Sequence, residues 1–326
     1  MNTRIVYYLL TVLLITFISC NKGSNPADQP SFGVPAGNNV IYALGNGYYG
    51  GPADTYGIYT NNSDTGGTQT PLIESKKTAF YCPNWTNEDK VCFLSNYQGE
   101  TKKQIYSINF DGTAVRRISN DTLSEYSTLD VSLVNGRLLY TRNTGGGKQL
   151  CSNNIQMNDE KVLLSGAVSA SWSPDGRSIV YSNSELNNNG EKIMNLFLMN
   201  ADGTGIIKIT SNILPQLTYS TPFISPGGNK ILYTSYRERL VTNTTLLSSL
   251  TDVYTCNING SNEQRITNSY PQTESWYNAN WSKDGKKMLL IYLYIRMPYS
   301  LVVRNTDNNS QIQATYSWGM MDADIK

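Results

Sequence analysis

Ser171-Trp172-Ser173-Pro174-Asp175-Gly176-Arg177 reads as the end of one strand, a tight turn and the start of the next. Pro presets the turn's backbone, Asp bonds nearby N–H groups, and Gly supplies the left-handed conformation that closes it. The stretch returns as Asn280-Trp281-Ser282-Lys283-Asp284-Gly285-Lys286, and more loosely as Asn84-Trp85-Thr86-Asn87-Glu88-Asp89-Lys90. In a fourth copy, Ser225-Pro226-Gly227-Gly228, Ile224 takes the Trp position, and Val134-Asn135-Gly136-Arg137 is a shorter fifth. An apolar run follows each, such as Ile179-Val180-Tyr181 or Ile231-Leu232-Tyr233.

A second signature follows the first. Phe110-Asp111-Gly112, Ala201-Asp202-Gly203 and Ile258-Asn259-Gly260 each end an apolar strand, and Asp-Gly or Asn-Gly between apolar runs is a strong hairpin signal. In all three an Ile lies six residues after the Gly, at Ile118, Ile209 and Ile266, which pins the register of a fourth strand. Four short strands per unit at this spacing predict propeller blades. The units fall at 78–120, 124–165, 167–211, 217–268 and 274–315. A sixth is split: Val40–Ala43, Gly57–Thr60 and Pro71–Ile73 supply three strands, and Ser317-Trp318-Gly319 is expected to return the missing Trp strand. The expected fold is an all-β, six-bladed propeller of four-stranded antiparallel blades over 38–326, closed by pairing the chain's two ends in one blade.

Trp172-Ser173-Pro174-Asp175-Gly176-Arg177 with Asn200-Ala201-Asp202-Gly203-Thr204-Gly205-Ile206-Ile207-Lys208-Ile209-Thr210 resembles the repeats of TolB-like propellers. The resemblance covers nearly all of 38–326 and implies six blades and an exported setting. TolB-like proteins carry an additional N-terminal α/β domain and bind envelope partners. The interval from Cys20 to Asn38 has no room for that domain, so the resemblance carries the fold and the setting rather than those partners.

The N-terminus agrees with export. Ile5 to Ser19 is an almost unbroken apolar run after Arg4, shorter than the roughly 20 residues of a membrane-spanning helix. Phe17-Ile18-Ser19-Cys20 resembles a bacterial lipobox, which implies a signal peptide over 1–19 and a diacylglycerol thioether on Cys20. An uncleaved anchor is the alternative. Residues 20–37 read as a lipidated flexible tether. No Asp follows Cys20, which points such a lipoprotein to the outer membrane of a Gram-negative cell, facing the periplasm or the surface.

Composition narrows the chemistry. Lys and Arg total 26 against 25 Asp and Glu, so no basic face for nucleic acid is expected. The 326 residues include no His. That excludes Ser-His-Asp and Cys-His nucleophiles and the zinc sites built on His. No catalytic residue, metal site or cofactor beyond the lipid is assigned. The recurring Asp111, Asp175, Asp202 and Asp284 read as turn carboxylates, and the Trp residues as wedges between blades. Cys82 and Cys92 flank one hairpin and could form a disulfide in an oxidising compartment, or Cys92 could be a buried thiol. Function is sought on the variable loops between second and third strands. Tyr48, Tyr49, Arg237, Glu238, Arg239, Arg296 and Tyr299 are the candidates there, with Tyr219 and Trp276 at the starts of inner strands. Packing of inner strands is the alternative reading of those last two. The expectation is a monomeric, non-enzymatic module that binds an envelope protein. A glycan-binding propeller is the alternative, and a carboxylate-based lyase or hydrolase is a third reading.

Overall fold

The computed structural model describes residues 39–44, 56–65, 69–212, 217–239, 248–268, 274–294, 299–317 and 320–325. Six four-stranded antiparallel sheets form a ring. In blade 2 the strands are β4 (Phe80–Trp85), β5 (Lys90–Ser95), β6 (Gln104–Asn109) and β7 (Arg116–Arg117). Blade 3 contains β8 (Glu125–Val131), β9 (Leu138–Asn143), β10 (Lys148–Asn153) and β11 (Lys161–Ser165). Blade 4 is made of β12 (Ala167–Trp172), β13 (Ser178–Leu186), β14 (Lys192–Asn200) and β15 (Ile207–Lys208). β16 (Thr218–Ile224), β17 (Lys230–Arg239), β18 (Ser248–Asn257) and β19 (Gln264–Arg265) build blade 5. β20 (Glu274–Trp281), β21 (Lys287–Tyr294), β22 (Tyr299–Asn305) and β23 (Gln311–Ser317) build blade 6. Blade 1 joins the two ends of the chain. β24 (Met320–Ile325) pairs with β1 (Val40–Leu44), followed by β2 (Tyr56–Asn61) and β3 (Thr70–Ser75).

One expectation for the closing blade is corrected. Val40 pairs with Ile325, just as Ile179 pairs with Trp172, so Ile325 holds the Trp position. Ser317 belongs to the outer strand of blade 6, and Trp318 lies outside the described residues. The hairpin after Trp85 is a residue shorter than its relatives, and Val91 stands opposite the Trp.

The repeated turns are stitched together on one face. Asp175 Oδ1 accepts from Ser173 Oγ at 2.6 Å and from the Arg177 N–H at 3.1 Å, and Asp284 does the same with Ser282 and Lys286. Asp202 Oδ1 accepts from the N–H and hydroxyl of Thr204. These bonds hold all three carboxyls below their ordinary range. The turn between first and second strands then accepts a backbone bond from the turn between third and fourth. Ala201 N donates to Arg177 O, Ile258 N to Asn229 O, and Phe110 N to Asp89 O. This face is flat and regular. Both described ends of the chain, Asn39 and Ile325, lie on it, where blade 1 lacks its first-to-second turn.

The core lies between blades. Six apolar clusters fill the six interfaces, for instance Ile41, Ile58 and Leu72 of blade 1 against Trp85, Phe93 and Tyr106 of blade 2. Trp85 is 1% exposed and meets Phe110 edge-on at 5.0 Å between ring centres. That answers the repeated position as a packing need rather than a ligand site.

Candidate functional site: the ribboned face and the channel wall

Two features break the six-fold regularity. The first is on the face opposite the stitched turns. Second and third strands in blade 2 run six residues each, whereas β13 and β14 run nine and β17 and β18 run ten. Their pairing is continuous from Ser178↔Asn200 to Leu186↔Lys192, and from Lys230↔Asn257 to Arg239↔Ser248. First strands stop supporting them earlier, at Asn183 and Tyr236. At about 3.3 Å per residue, three further residues raise each ribbon by about 10 Å. Blades 4 and 5 are neighbours, so the two ribbons make one raised wall. The blade 4 ribbon ends in an Asn187–Glu191 turn with Leu186 71% exposed beside it.

The second feature is the wall of the central channel, formed by the innermost strands β4, β8, β12, β16, β20 and β24. Each carries a register shift in its pairing with the next strand. Positive φ falls there on Cys82 (46°), Thr221 (45°) and Asn278 (42°). A bulge bends the strand and re-aims its side chains. Hydroxyls fill the space. Ser127 and Thr128 meet Thr141 at 2.7 and 2.9 Å, Ser169 meets Ser182 at 2.9 Å, and Ser220 and Thr221 meet Thr234 at 2.9 and 3.0 Å.

One residue before the Trp position, a belt of polar groups joins each blade to the next. Asn84 Nδ2 donates to Leu129 O of blade 3 (3.1 Å), and Ser171 Oγ to Pro222 O of blade 5 (2.6 Å). Asp130 Oδ2 accepts from Trp172 N of blade 4 (2.7 Å). Asn280 Nδ2 donates to Asp324 Oδ1 (2.7 Å), and Asp324 Oδ2 accepts from Trp85 N of blade 2 (3.2 Å). Blade 5 departs from the belt with Phe223, and Trp281 N turns instead to its own neighbour Asn280 (2.7 Å). Burial pushes the Asp130 carboxyl up to about 6 despite its backbone donors. Asp324 rises to about 7, through burial first, held back by the Trp85 N–H and pushed further by the charge of Asp130.

The structure separates the residues singled out from the sequence. Arg237, Glu238 and Arg239 form the upper end of β17, opposite Leu250, Ser249 and Ser248. Tyr219 is buried, its ring 5.5 Å from that of Tyr233, so it belongs to the core of blades 4 and 5 and not to a binding surface. Trp276 is half-buried and packs on Tyr292 at 4.6 Å. Tyr299 is half-buried against the cluster between blades 6 and 1. Tyr48, Tyr49, Arg296 and Cys20 lie outside the described residues. Cys82 and Cys92 are not joined by a disulfide, which corrects that reading: Cys82 sits in the bulge between Tyr81 and Asn84, and Asn84 takes the place opposite Cys92. Burial raises the Cys92 thiol to about 12. Asp130 and Asp324 were not singled out from the sequence. Their signal was a polar residue before each Trp position, at Asn84, Ser171 and Asn280.

No protein-family model and no curated protein sequence matches the chain. Solved structures do. TolB from Acinetobacter baumannii superposes with a TM-score of 0.66 at 15% identity, over 89% of this chain and 67% of that one. The fold is that of TolB-type propellers. A TolB-assigned protein of Agrobacterium tumefaciens follows at 0.59 and 14% identity, over 87% of this chain and 90% of its own. A chain of the nidogen–laminin complex gives 0.58 at 9% identity, over 88% and 97%. The TolB-type likeness establishes blades, their order and the closure of the ring. The raised wall and the belt are read from this chain's own residues.

Proposed function

We propose that this chain is an exported lipoprotein, anchored through Cys20 in the outer membrane, which binds another envelope protein through its ribboned face and does no chemistry on it. One observation carries the reading: the wall made by the ribbons of blades 4 and 5, raised above a face whose opposite is flat. Ile193 and Met194 root the blade 4 ribbon in the core, but its end, with Leu186, stands clear of the blades, so its return is sought in contact with another molecule. Leu186, exposed at a ribbon end, is the kind of apolar group such a contact covers. The anchor rests on the lipobox-like Phe17–Cys20, and the absence of catalysis on a sequence without His.

A photo-crosslinking amino acid at Leu186, with a second at Val134 on the flat face, tests the surface in living cells. A discrete protein adduct from Leu186 alone, lost when residues 185–192 are replaced by a two-residue turn, is the expected result. Adducts from Val134, or adducts that survive removal of the ribbon, sink the assignment. Palmitate labelling that persists in Cys20→Ser sinks the anchor.

A further inference from the structure

The stitched face opens at the seam between blades 4 and 5. In blades 2, 4 and 6 the first strand ends in an indole that wedges against the blade before it. Trp85 shares a cluster with Ile41, Ile58 and Leu72 of blade 1, Trp172 with Leu139 and Leu150 of blade 3, and Trp281 with Leu232 and Val253 of blade 5. Blade 5 places Ile224 there, against Val180 and Leu196 of blade 4. An isoleucine is far smaller than an indole and leaves the outer part of the position unfilled.

The turns report the same gap independently. A Cβ on Gly136 would lie 2.8 Å from Asn87 Oδ1, one on Gly176 3.0 Å from Asn135 Nδ2, and one on Gly285 3.5 Å from Pro226 Cγ. Each of these first-to-second turns therefore leans on that of the blade before it. The equivalent Gly228 of blade 5 meets nothing within 4 Å. The two blades are not splayed, because a Cβ on Gly260, further out, still lands on the Ile209 carbonyl of blade 4. Blade 3 also lacks the Trp, with Val131 opposite Leu138, but Gly136 closes on Asn87, and Ile155 and Met157 pack on that cluster.

What the seam leaves is a cleft of about 230 Å³ among the turns of the flat face. Ile224, Leu198, Ile258 and Pro226 line its apolar side, and Ser173 and Asp175 its polar rim. Ile224 and Ile258 stand where blade 2 sets Trp85 edge-on to Phe110. Blade 2 fills these positions with two rings, and blade 5 supplies neither.

We propose that this seam is a binding slot for a free aromatic molecule of indole size, seated where the other blades seat their own rings.

Size and surroundings both select that occupant. An apolar cavity of about 150 Å³ takes up benzene, and this cleft is about half as large again, which suits two fused rings. A peptide crossing the face finds no strand edge to pair with, because the turns on either side bond to themselves. In blade 4 the Ser173 and Gly176 N–H groups are bonded to Ser178 and Ser173 carbonyls, and in blade 5 those of Ser225 and Gly228 to Lys230 and Ser225. The slot depends neither on the anchor nor on the ribboned face.

Fluorine NMR of 5-fluoroindole titrated into the full chain tests the slot, with contacts located by NOEs to labelled Ile and Leu methyls. Saturable binding with NOEs to Ile224, Leu198 and Ile258 is expected. Ile224→Trp supplies the missing ring, so binding should fall by about tenfold or more while the urea midpoint holds or rises. Ile258→Phe, in a half-buried turn that tolerates change, should weaken binding severalfold and carries the test even where Ile224→Trp fails to fold. Binding that is unsaturable, indifferent to both substitutions, or located elsewhere by NOE overturns the proposal. So does a lowered midpoint in Ile224→Trp, which would mean that the seam has no room for a ring. Displacement of the probe by Gly-Trp-Gly or by octanoate at about a tenth of the indole concentration would give the slot to a peptide or an acyl chain, and overturns it as well.

Discussion

Gly260 and Gly228 make a matched pair for testing how the blades are held apart. Both sit in turns of blade 5 with left-handed backbone, at φ of 83° and 72°. A methyl group at either one costs the same conformational penalty, about 1 to 2 kcal/mol. Their surroundings differ. A Cβ on Gly228 meets nothing within 4 Å. One on Gly260 lands on the carbonyl oxygen of Ile209, the residue that follows the outer strand of blade 4. That carbonyl is backbone and cannot swing aside, because the Ile209 N–H is bonded to Leu196 O at 2.8 Å and the side chain is buried in the cluster between blades. Relief requires the two blades to shift, an overpacking cost of about 1 to 3 kcal/mol. Gly228→Ala should therefore lose about 1 to 2 kcal/mol, and Gly260→Ala about 2 to 5. Urea unfolding followed by Trp fluorescence reads the difference as a shift in midpoint at constant slope. Equal losses for the two variants would refute the claim that third-to-fourth turns set the spacing between blades.

Two other outcomes follow from the core and its thiols. Trp85→Ala empties a fully buried wedge and should cost about 3 to 5 kcal/mol, with a smaller loss for the partly exposed Trp281, measured in the same urea titration. In Cys20→Ser protein, a thiol reagent at pH 8 should modify Cys82 alone. Cys151 and Cys256 are pushed by burial to about 11 and about 12, and with Cys92 they should react only in denaturant. A Cys82–Cys92 peptide pair in a non-reducing digest would contradict the structure.

The blades were legible because their turns obey local rules. Asp-Gly and Pro-Asp-Gly impose a hairpin whatever surrounds them, and a fixed six-residue gap carries the register to the fourth strand. The closing strand was harder. Met320–Ile325 has no following turn to mark it, and Trp318 offered the wrong anchor while Ile325 did the work. The candidate surface was legible only as loop length. Long second-to-third intervals in blades 4 and 5 did mark the ribbons, but sequence spacing could not show that most of each interval continues the ladder. Tyr219 failed as a binding residue because an aromatic on an inner strand looks the same in sequence whether it faces a neighbouring sheet or solvent. Asp130 and Asp324 were missed for a related reason: the belt pairs residues 42 and 239 positions apart. No local pattern reports such a distance.

The position of the two described ends sets a polarity. Asn39 and Ile325 meet on the flat, stitched side of the disc, and the ribbons rise from the other. Whatever grips the polypeptide upstream of Asn39 therefore holds the disc from beneath, like a stem under a flower head. A blade of about six residues is about 20 Å deep, and the ribbons add about 10 Å more. A surface that holds the stem is thus kept about 30 Å from the ribbon tips. A hold upstream of Asn39 would turn a nearly symmetric ring into a directed object, with the ribbons on the side away from it.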